Sequence, residues 1–388
     1  MQKTVRVLLY LAGFLALLCL LLYVTGNGHI LNGISQTYLR GLSRPDIDDF
    51  DSTVCRKVPA GEHQPWAMSS AYGKTTLSGS ELAFLDSLET TAYLVVWKDS
   101  ILYEYYGLEG GKDVLSNSFS MAKSFTSMAV GALADRGLLD VHDPVANYLP
   151  RFSEGDNARM TVEQVLQMRS NINFGESYSN PFGYQAKAYY GDDLVAETAP
   201  YRVSGSPGTV WEYQGGNTVI LAELVQMRAN KSLSAWFSTC FWQRLGAEHD
   251  AWWRIDHDGG IERSFSAFYA TARDFARIGK LFLHKGKWNG IQLLSRTYYD
   301  QSIRPVGTTD KNGKPTQHYG YQWWLALDAQ PAHFSARGMR GQYIVVIPDS
   351  QLVVVRLGHK RIEDKEGGTM TPDLEKFVSF AIGLIPEL

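Results

Sequence analysis

The apolar and polar positions change their period along the chain, and the changes divide it into segments. The first is a run without a charge, residues 7–24, rich in Leu and preceded by Lys3 and Arg6. At 1.5 Å per residue a helix of that length nearly crosses a bilayer core of about 30 Å. Residues 25–75 show little apolar periodicity and are rich in Gly, Asp, Ser and Pro, which predicts an extended linker. A helix is predicted near residues 80–88. Two strand-like runs follow, 92–97 and 101–106, and the Lys98-Asp99-Ser100 break between them predicts a β-hairpin.

From Ser120 the period becomes helical. Met121, Phe125, Met128, Ala129, Ala132 and Leu133 fall on one helix, and Gly137 closes it. Further helices are predicted over 162–168, 218–228 and 271–283. Strand character returns at 320–327, 343–347 and 352–357, with Pro348-Asp349-Ser350 as a tight turn, and a last helix is predicted over 372–382. Strands at both ends with helices between predict an α+β fold. Its single antiparallel sheet is built from N- and C-terminal strands and flanked by helices, with an inserted, mainly helical region at about 130–310. The domain division is 1–27 as a transmembrane anchor or signal segment, 28–75 as linker and 76–388 as the globular domain.

Composition narrows the function classes. Net charge is −3 and no stripe of Lys and Arg exists to neutralise a phosphate backbone, so nucleic acid is not an expected partner. Twelve per cent aromatic residues favour a ring-lined cleft. The Trp252-Trp253 and Trp323-Trp324 pairs suit either a cleft wall or the core. Lys3 and Arg6 on the short leading side orient an uncleaved anchor with the domain outside the cytoplasm, in the inner membrane facing the periplasm. A cleaved signal peptide is the alternative, though no clear small-x-small site follows Val24. Cys55 and Cys240 lie outside the span, either paired or as separate thiols. Asp256-His257-Asp258 lacks further ligands at a recognisable spacing and reads as a solvated loop. Neither a metal nor a cofactor is expected.

The chemistry centres on Phe119-Ser120-Met121-Ala122-Lys123-Ser124. Ser and Lys three apart at a helix start share a face. A serine hydroxyl needs a base to take its proton, and a buried lysine with a lowered pKa can serve. The motif alone is common by coincidence. Its surroundings, NSFSMAKSFTSMAVGALADRGLLDVHDPVANYLP over 117–150, closely resemble the nucleophile helix of the serine β-lactamase-like family. Gly137-Leu138-Leu139, Asp143-Pro144 and Tyr148-Leu149-Pro150 follow in that family's order. The stretch 160–170 resembles its next helix and turn, with Asn171 where glycine is usual. Trp211-Glu212-Tyr213-Gln214-Gly215 resembles its Tyr-x-Asn/Ser motif, with Gly215 in the third position and Asn217 two residues beyond.

The segment Ala336-Arg337-Gly338-Met339-Arg340-Gly341-Gln342 resembles the Gly-x-x-Gly-Gln pattern of the carboxylesterase and 6-aminohexanoate-dimer hydrolase branch, without the lysine of Lys-Thr-Gly members. The stretch from Phe268 and Gly320-Tyr321-Gln322-Trp323-Trp324 extend the resemblance over about 75–388. It implies a β-lactamase/transpeptidase-like fold. Its catalytic residues would be Ser120, Lys123 and Tyr213, with an oxyanion hole from the Ser120 and Met339 backbone amides. Gly215, Asn217, Arg337 and Gly338 would contact substrate. The implied activity is hydrolysis of a small ester or amide. The alternatives are a D-amino-acid peptidase or β-lactamase acting on cell-wall-type substrates, or a non-catalytic envelope ligand-binding protein of the same fold. Oligomeric state is not legible.

Overall fold

The computed structural model describes residues 2–363 and 371–386. In chain order α1 (Gln2–Val24) and α2 (His29–Gln36) precede β1 (Cys55–Val58), β2 (Ala67–Met68) and α3 (Gly79–Ser87). Then come β3 (Thr90–Trp97), β4 (Ser100–Tyr106), β5 (Ser116–Asn117) and α4 (Ala122–Ala134). The middle of the chain forms α5 (Val162–Leu166), α6 (Tyr184–Tyr190), α7 (Leu194–Thr198), β6 (Val210–Trp211), α8 (Gly215–Ala229) and α9 (Leu233–Phe237). It continues through β7 (Ala251–Arg254), β8 (Phe268–Ala270), α10 (Ala272–Leu283), β9 (Lys287–Trp288), β10 (Ile291–Gln292) and α11 (Arg296–Ser302). Last are β11 (Thr308–Asp310), β12 (Pro315–Thr316), β13 (Trp324–Ala326), β14 (His333–Gly338), β15 (Gln342–Ile347), β16 (Leu352–Gly358) and α12 (Pro372–Gly383).

The main sheet has seven strands in the order β13-β14-β15-β16-β3-β4-β2, so both ends of the domain do build one sheet. Its pairs are antiparallel except at the edge, where β2 runs parallel to β4. Strands β3, β15 and β16 are apolar on both faces because helices cover both. Leu94, Val96, Ile344 and Val353 turn to the side of α10 and α4, whereas Tyr93, Val95, Val345 and Val354 meet α12. That two-residue alternation is the pleat of the strand. Helix α4 is buried on every face, with all but its last residue out of water. It is the central post against which α8, α9 and the sheet pack.

A second sheet, ordered β1-β7-β8-β5, lies beside the helical region. It changes the picture of residues 28–75, expected as an extended linker. Cys55–Val58 pairs with Ala251–Arg254, and through β8 this sheet carries β5, which runs into the Ser120 turn. Helix α2 docks on the domain as well: Asn32 donates to the Tyr190 carbonyl at 2.9 Å, and Arg254 donates to Gln36 Oε1 at 2.6 Å. An eight-residue helix with glycine at its middle has too little intrinsic stability to announce itself, and tertiary contacts stabilise it instead. Helix α1 buries none of its residues in the domain and is long and apolar enough to span a membrane or serve as a signal sequence.

Two expectations need correction. The Asp256 carboxylate is not solvated: it is buried and accepts from the amides of Leu194, His257 and Ile261. Strand character over 320–327 narrows to Trp324–Ala326, since Gln322 adopts φ of 62° and turns the chain before it. Cys55 and Cys240 are separate thiols.

Candidate active site

Strand β5 ends at Asn117, and Phe119 then takes φ of 43°, a conformation unusual for a bulky side chain. The Asn117 side-chain oxygen holds it by accepting from the Phe119 amide at 2.8 Å. The sharp turn lifts Ser120 to the wall of a cleft and starts α4 directly beneath it. One turn on, Lys123 lies under the cleft floor, 2% exposed. Its Nζ donates to Ser120 Oγ at 3.0 Å and to the Phe265 carbonyl at 2.9 Å. Among the described residues it has no carboxylate partner within ion-pair distance. Burial lowers its pKa from the ordinary lysine value, while Tyr178 and Glu176 pull weakly the other way.

Tyr213 comes from the segment between β6 and α8. β6 pairs with β11, and the Glu212 amide donates to the Met168 carbonyl at 2.9 Å. The Tyr213 ring sits 5.2 Å from Trp324 and 6.0 Å from Tyr319, and Lys123 Nζ lies 4.8 Å from its centre. Burial pushes the phenol well above its ordinary pKa, and its hydrogen bond with Ser120 draws it partly back. Ser120, Lys123 and Tyr213 therefore meet, although the tyrosine is far along the chain from the other two.

The opposite wall is the end of β14 and the turn after it. A Cβ on Gly338 would stand 2.2 Å from the Ser118 carbonyl oxygen, so glycine is what lets this strand reach the Ser120 turn. Met339 follows on the cleft wall. The turn continues through two left-handed residues, Arg340 and Gly341, and Arg356 pins both by donating to their carbonyls at 2.8 and 3.0 Å. Gln342 adds a bond to the Met339 carbonyl at 3.0 Å. Arg340 is committed to structure, bonding to Pro45, His359 and Asp46. Arg337 and Gly338 line the cleft, with the Arg337 guanidinium 5.3 Å from the Trp324 ring and its Nε donating to Ser335.

Gly215 and Asn217 lie elsewhere. Gly215 begins α8 beneath the Phe265 ring, and Asn217 is fully buried with its amide directed at the Met168 sulfur. Neither lines the cleft. The helix register explains Asn217: four residues past Tyr213, it has already turned into the core. Only the Trp323-Trp324 pair divides between core and cleft wall; Trp252 lies outside the cleft, against Phe50. Trp323 is wholly buried against Phe282 and Trp324 walls the cleft; Trp253 is buried and Trp252 is not.

One group was missed in the sequence. The Glu176 carboxylate accepts from the Gly216 amide at 2.8 Å and from Gly215, capping α8 from a distant loop on the Lys123 side of the site. Burial raises its pKa, and the two amides and Lys123 oppose that rise. No local pattern around Gly175-Glu176-Ser177 signals this role.

Known proteins show the same arrangement of chain. The 6-aminohexanoate-dimer hydrolase of Paenarthrobacter ureafaciens is 28% identical over 326 residues, 79% of this chain and 81% of that protein. A Bacillus anthracis structure described as a 6-aminohexanoate-dimer hydrolase superposes with a TM-score of 0.72 at 20% identity, covering 90% of this chain and 92% of that one. A family VIII carboxylesterase structure superposes with a TM-score of 0.63 at 17% identity, covering 83% and 99%. These two structures share the fold. The sequence pattern that defines the beta-lactamase family matches residues 88–375. That span takes in the Ser120 turn with α4, the Tyr213 segment and the β14–β15 turn, and the chain accordingly belongs to the beta-lactamase family of serine hydrolases.

Proposed function

We propose that the protein cleaves a small ester or amide by two-step acyl transfer through Ser120, with Lys123 as base and Tyr213 as the group that returns the proton. The observation that carries this is the 3.0 Å bond between Lys123 Nζ and Ser120 Oγ, made by an amine that burial pushes toward its neutral form. The phenol is displaced in the opposite direction and stays protonated at neutral pH, which divides the roles. Lys123 takes the Ser120 proton as Oγ bonds to the carbonyl carbon. The Ser120 and Met339 amides would hold the oxyanion; such a donor contributes about 3 kcal/mol to the transition state. On collapse the C–O or C–N bond breaks, and the leaving group takes its proton through Tyr213. Water then attacks the acyl ester and gives a proton to the same pair as Ser120 departs. The Arg337-Gly338-Met339 wall, without a Lys-Thr-Gly lysine, favours esters and amides over β-lactams.

Helix α1 is proposed as an uncleaved inner-membrane anchor with the domain on the periplasmic side, as Lys3 and Arg6 on its short leading end favour. The test is fluorophosphonate labelling, followed by a panel of p-nitrophenyl butyrate, nitrocefin and a D-Ala-terminated muropeptide. Labelling should be lost in Ser120→Ala, and butyrate cleavage should exceed nitrocefin turnover. Rapid nitrocefin hydrolysis without ester cleavage, or release of D-Ala alone, reverses the substrate order. An unlabelled wild-type protein leaves the ligand-binding reading instead.

A further inference from the structure

The cleft above Ser120 is larger than a short ester needs. It measures ≈ 1180 Å³ and runs from Ser120 and Tyr213 to the segment directly after α1. Typical small-molecule sites occupy about 300–1,000 Å³. On its outer side His29, Ile30, Ile34 and Tyr38 form the wall. Ile30 and Ile34 are one turn apart on α2 and share a face. Polar groups tie α2 down: His29 Nε2 bonds to the Pro181 carbonyl at 2.8 Å, and Asn32 bonds to the Tyr190 carbonyl and to Asp192. These bonds hold α2 with both isoleucines on the cleft wall. Ile34 is 38% exposed, Tyr38 67% and Tyr178, which also lines the cleft, 70%. Exposed apolar and aromatic groups collected at one cleft mouth mark a surface that receives an apolar ligand or a membrane.

The covalent chain says which. Only residues 25–28 separate the last residue of α1 from the first of α2, and they are coiled into a turn, with Asn27 N donating to Leu22 O at 2.7 Å. Even fully extended, that stretch spans at most about 18 Å. With α1 in a bilayer, the start of α2 cannot stand farther than this from the end of the membrane helix, and Ile34 lies only about 8 Å further along α2. Tyr23, 75% exposed at the end of α1, is placed where aromatic rings settle at the interface.

We infer that the substrate is a single-chain acyl amphiphile drawn from the membrane surface, its apolar chain lying along Ile30, Ile34 and Tyr38 while its ester or amide carbonyl reaches Ser120. This rests on the hydrolase and uncleaved-anchor readings. It adds that the anchor's continuation is part of the substrate site, so a water-soluble short ester uses only the inner end of the cleft.

The experiment uses the full chain reconstituted in phosphatidylcholine vesicles, with p-nitrophenyl palmitate and p-nitrophenyl butyrate as substrates and fluorophosphonate labelling as the active-site count. Each additional buried methylene multiplies kcat/KM about fourfold at most, so even partial burial of the longer chain predicts a palmitate-to-butyrate ratio above about 30. Ile34→Glu should lower that ratio by about tenfold, and Tyr38→Ser should lower it in the same direction. Palmitate in the enzyme's own vesicles should be hydrolysed faster, in initial rate, than palmitate supplied in separate vesicles. A ratio at or below one in labelled enzyme, or equal rates from the two vesicle populations, overturns the inference and leaves the hydrolase standing. A protein that neither labels nor cleaves either ester removes the hydrolase reading, and this inference with it. An isolated protein whose N-terminus begins after Val24 overturns the membrane-tethered site alone.

Discussion

Gly338 and Ser118 touch so closely that a single added carbon on the glycine would come within 2.2 Å of the serine carbonyl oxygen. The same Cβ would crowd Gln342 and Phe119 at 3.0 and 3.2 Å. Gly338→Ala should therefore push β14 away from the nucleophile turn. The expected result is a loss of about 1–3 kcal/mol in stability, as for other overpacked sites. Ester turnover should fall at least tenfold, to be measured by urea titration and steady-state kinetics on one preparation. A variant with wild-type turnover would mean that Met339 is not required at its present position.

Removing only the Tyr213 hydroxyl separates its chemical role from its packing. Tyr213→Phe keeps the ring contacts with Trp324 and Tyr319. If the phenol carries the proton to the leaving group, kcat should drop by about 10²–10⁴ while KM changes little. A drop in kcat/KM driven wholly by KM would assign Tyr213 to binding.

The pH profile tests the division of roles. Lys123 acts as base only when neutral, and burial lowers its pKa, so kcat/KM should rise with pH along a limb centred below the ordinary lysine value of 10.5. Glu176 favours the protonated amine through its negative charge. Glu176→Gln keeps an oxygen for the Gly215 and Gly216 amides but removes that charge, and the limb should move to lower pH. Movement to higher pH would contradict the assignment of Lys123.

A stability prediction concerns Asp274, which is buried at the start of α10. It accepts from the Glu248 and His249 amides at 2.7 and 3.1 Å and pairs with buried Arg277 at 3.1 Å. Asp274→Ala leaves that guanidinium with Glu248, at 3.6 Å, as its remaining carboxylate. The expected cost is about 3 kcal/mol, the lower end for breaking a buried pair. Ser120 labelling of the folded fraction should be unchanged, because α10 packs on the sheet away from the cleft.

Local order in the chain explains what could be read early. Ser120 and Lys123 are one helical turn apart, so their meeting follows from the helix alone, and the periodic run from Met121 to Leu133 announces that helix. The main sheet was legible because β3, β4, β15 and β16 are long and apolar. Strand β14 escaped notice because Ser335, Arg337 and Gly338 interrupt its apolar pattern, although all of its residues are buried in place.

By itself the sequence determined the pairing of Ser120 with Lys123, the central helix and the membrane-length run, since each depends on neighbours a few residues apart. Only the tertiary structure decided the rest. It brought Tyr213 to Ser120, set Glu176 on the start of α8, turned Asn217 into the core and folded α2 onto the cleft. These outcomes depend on contacts between groups dozens to hundreds of residues apart. Their energy is gained only when the whole domain closes around them, so no local pattern encodes them.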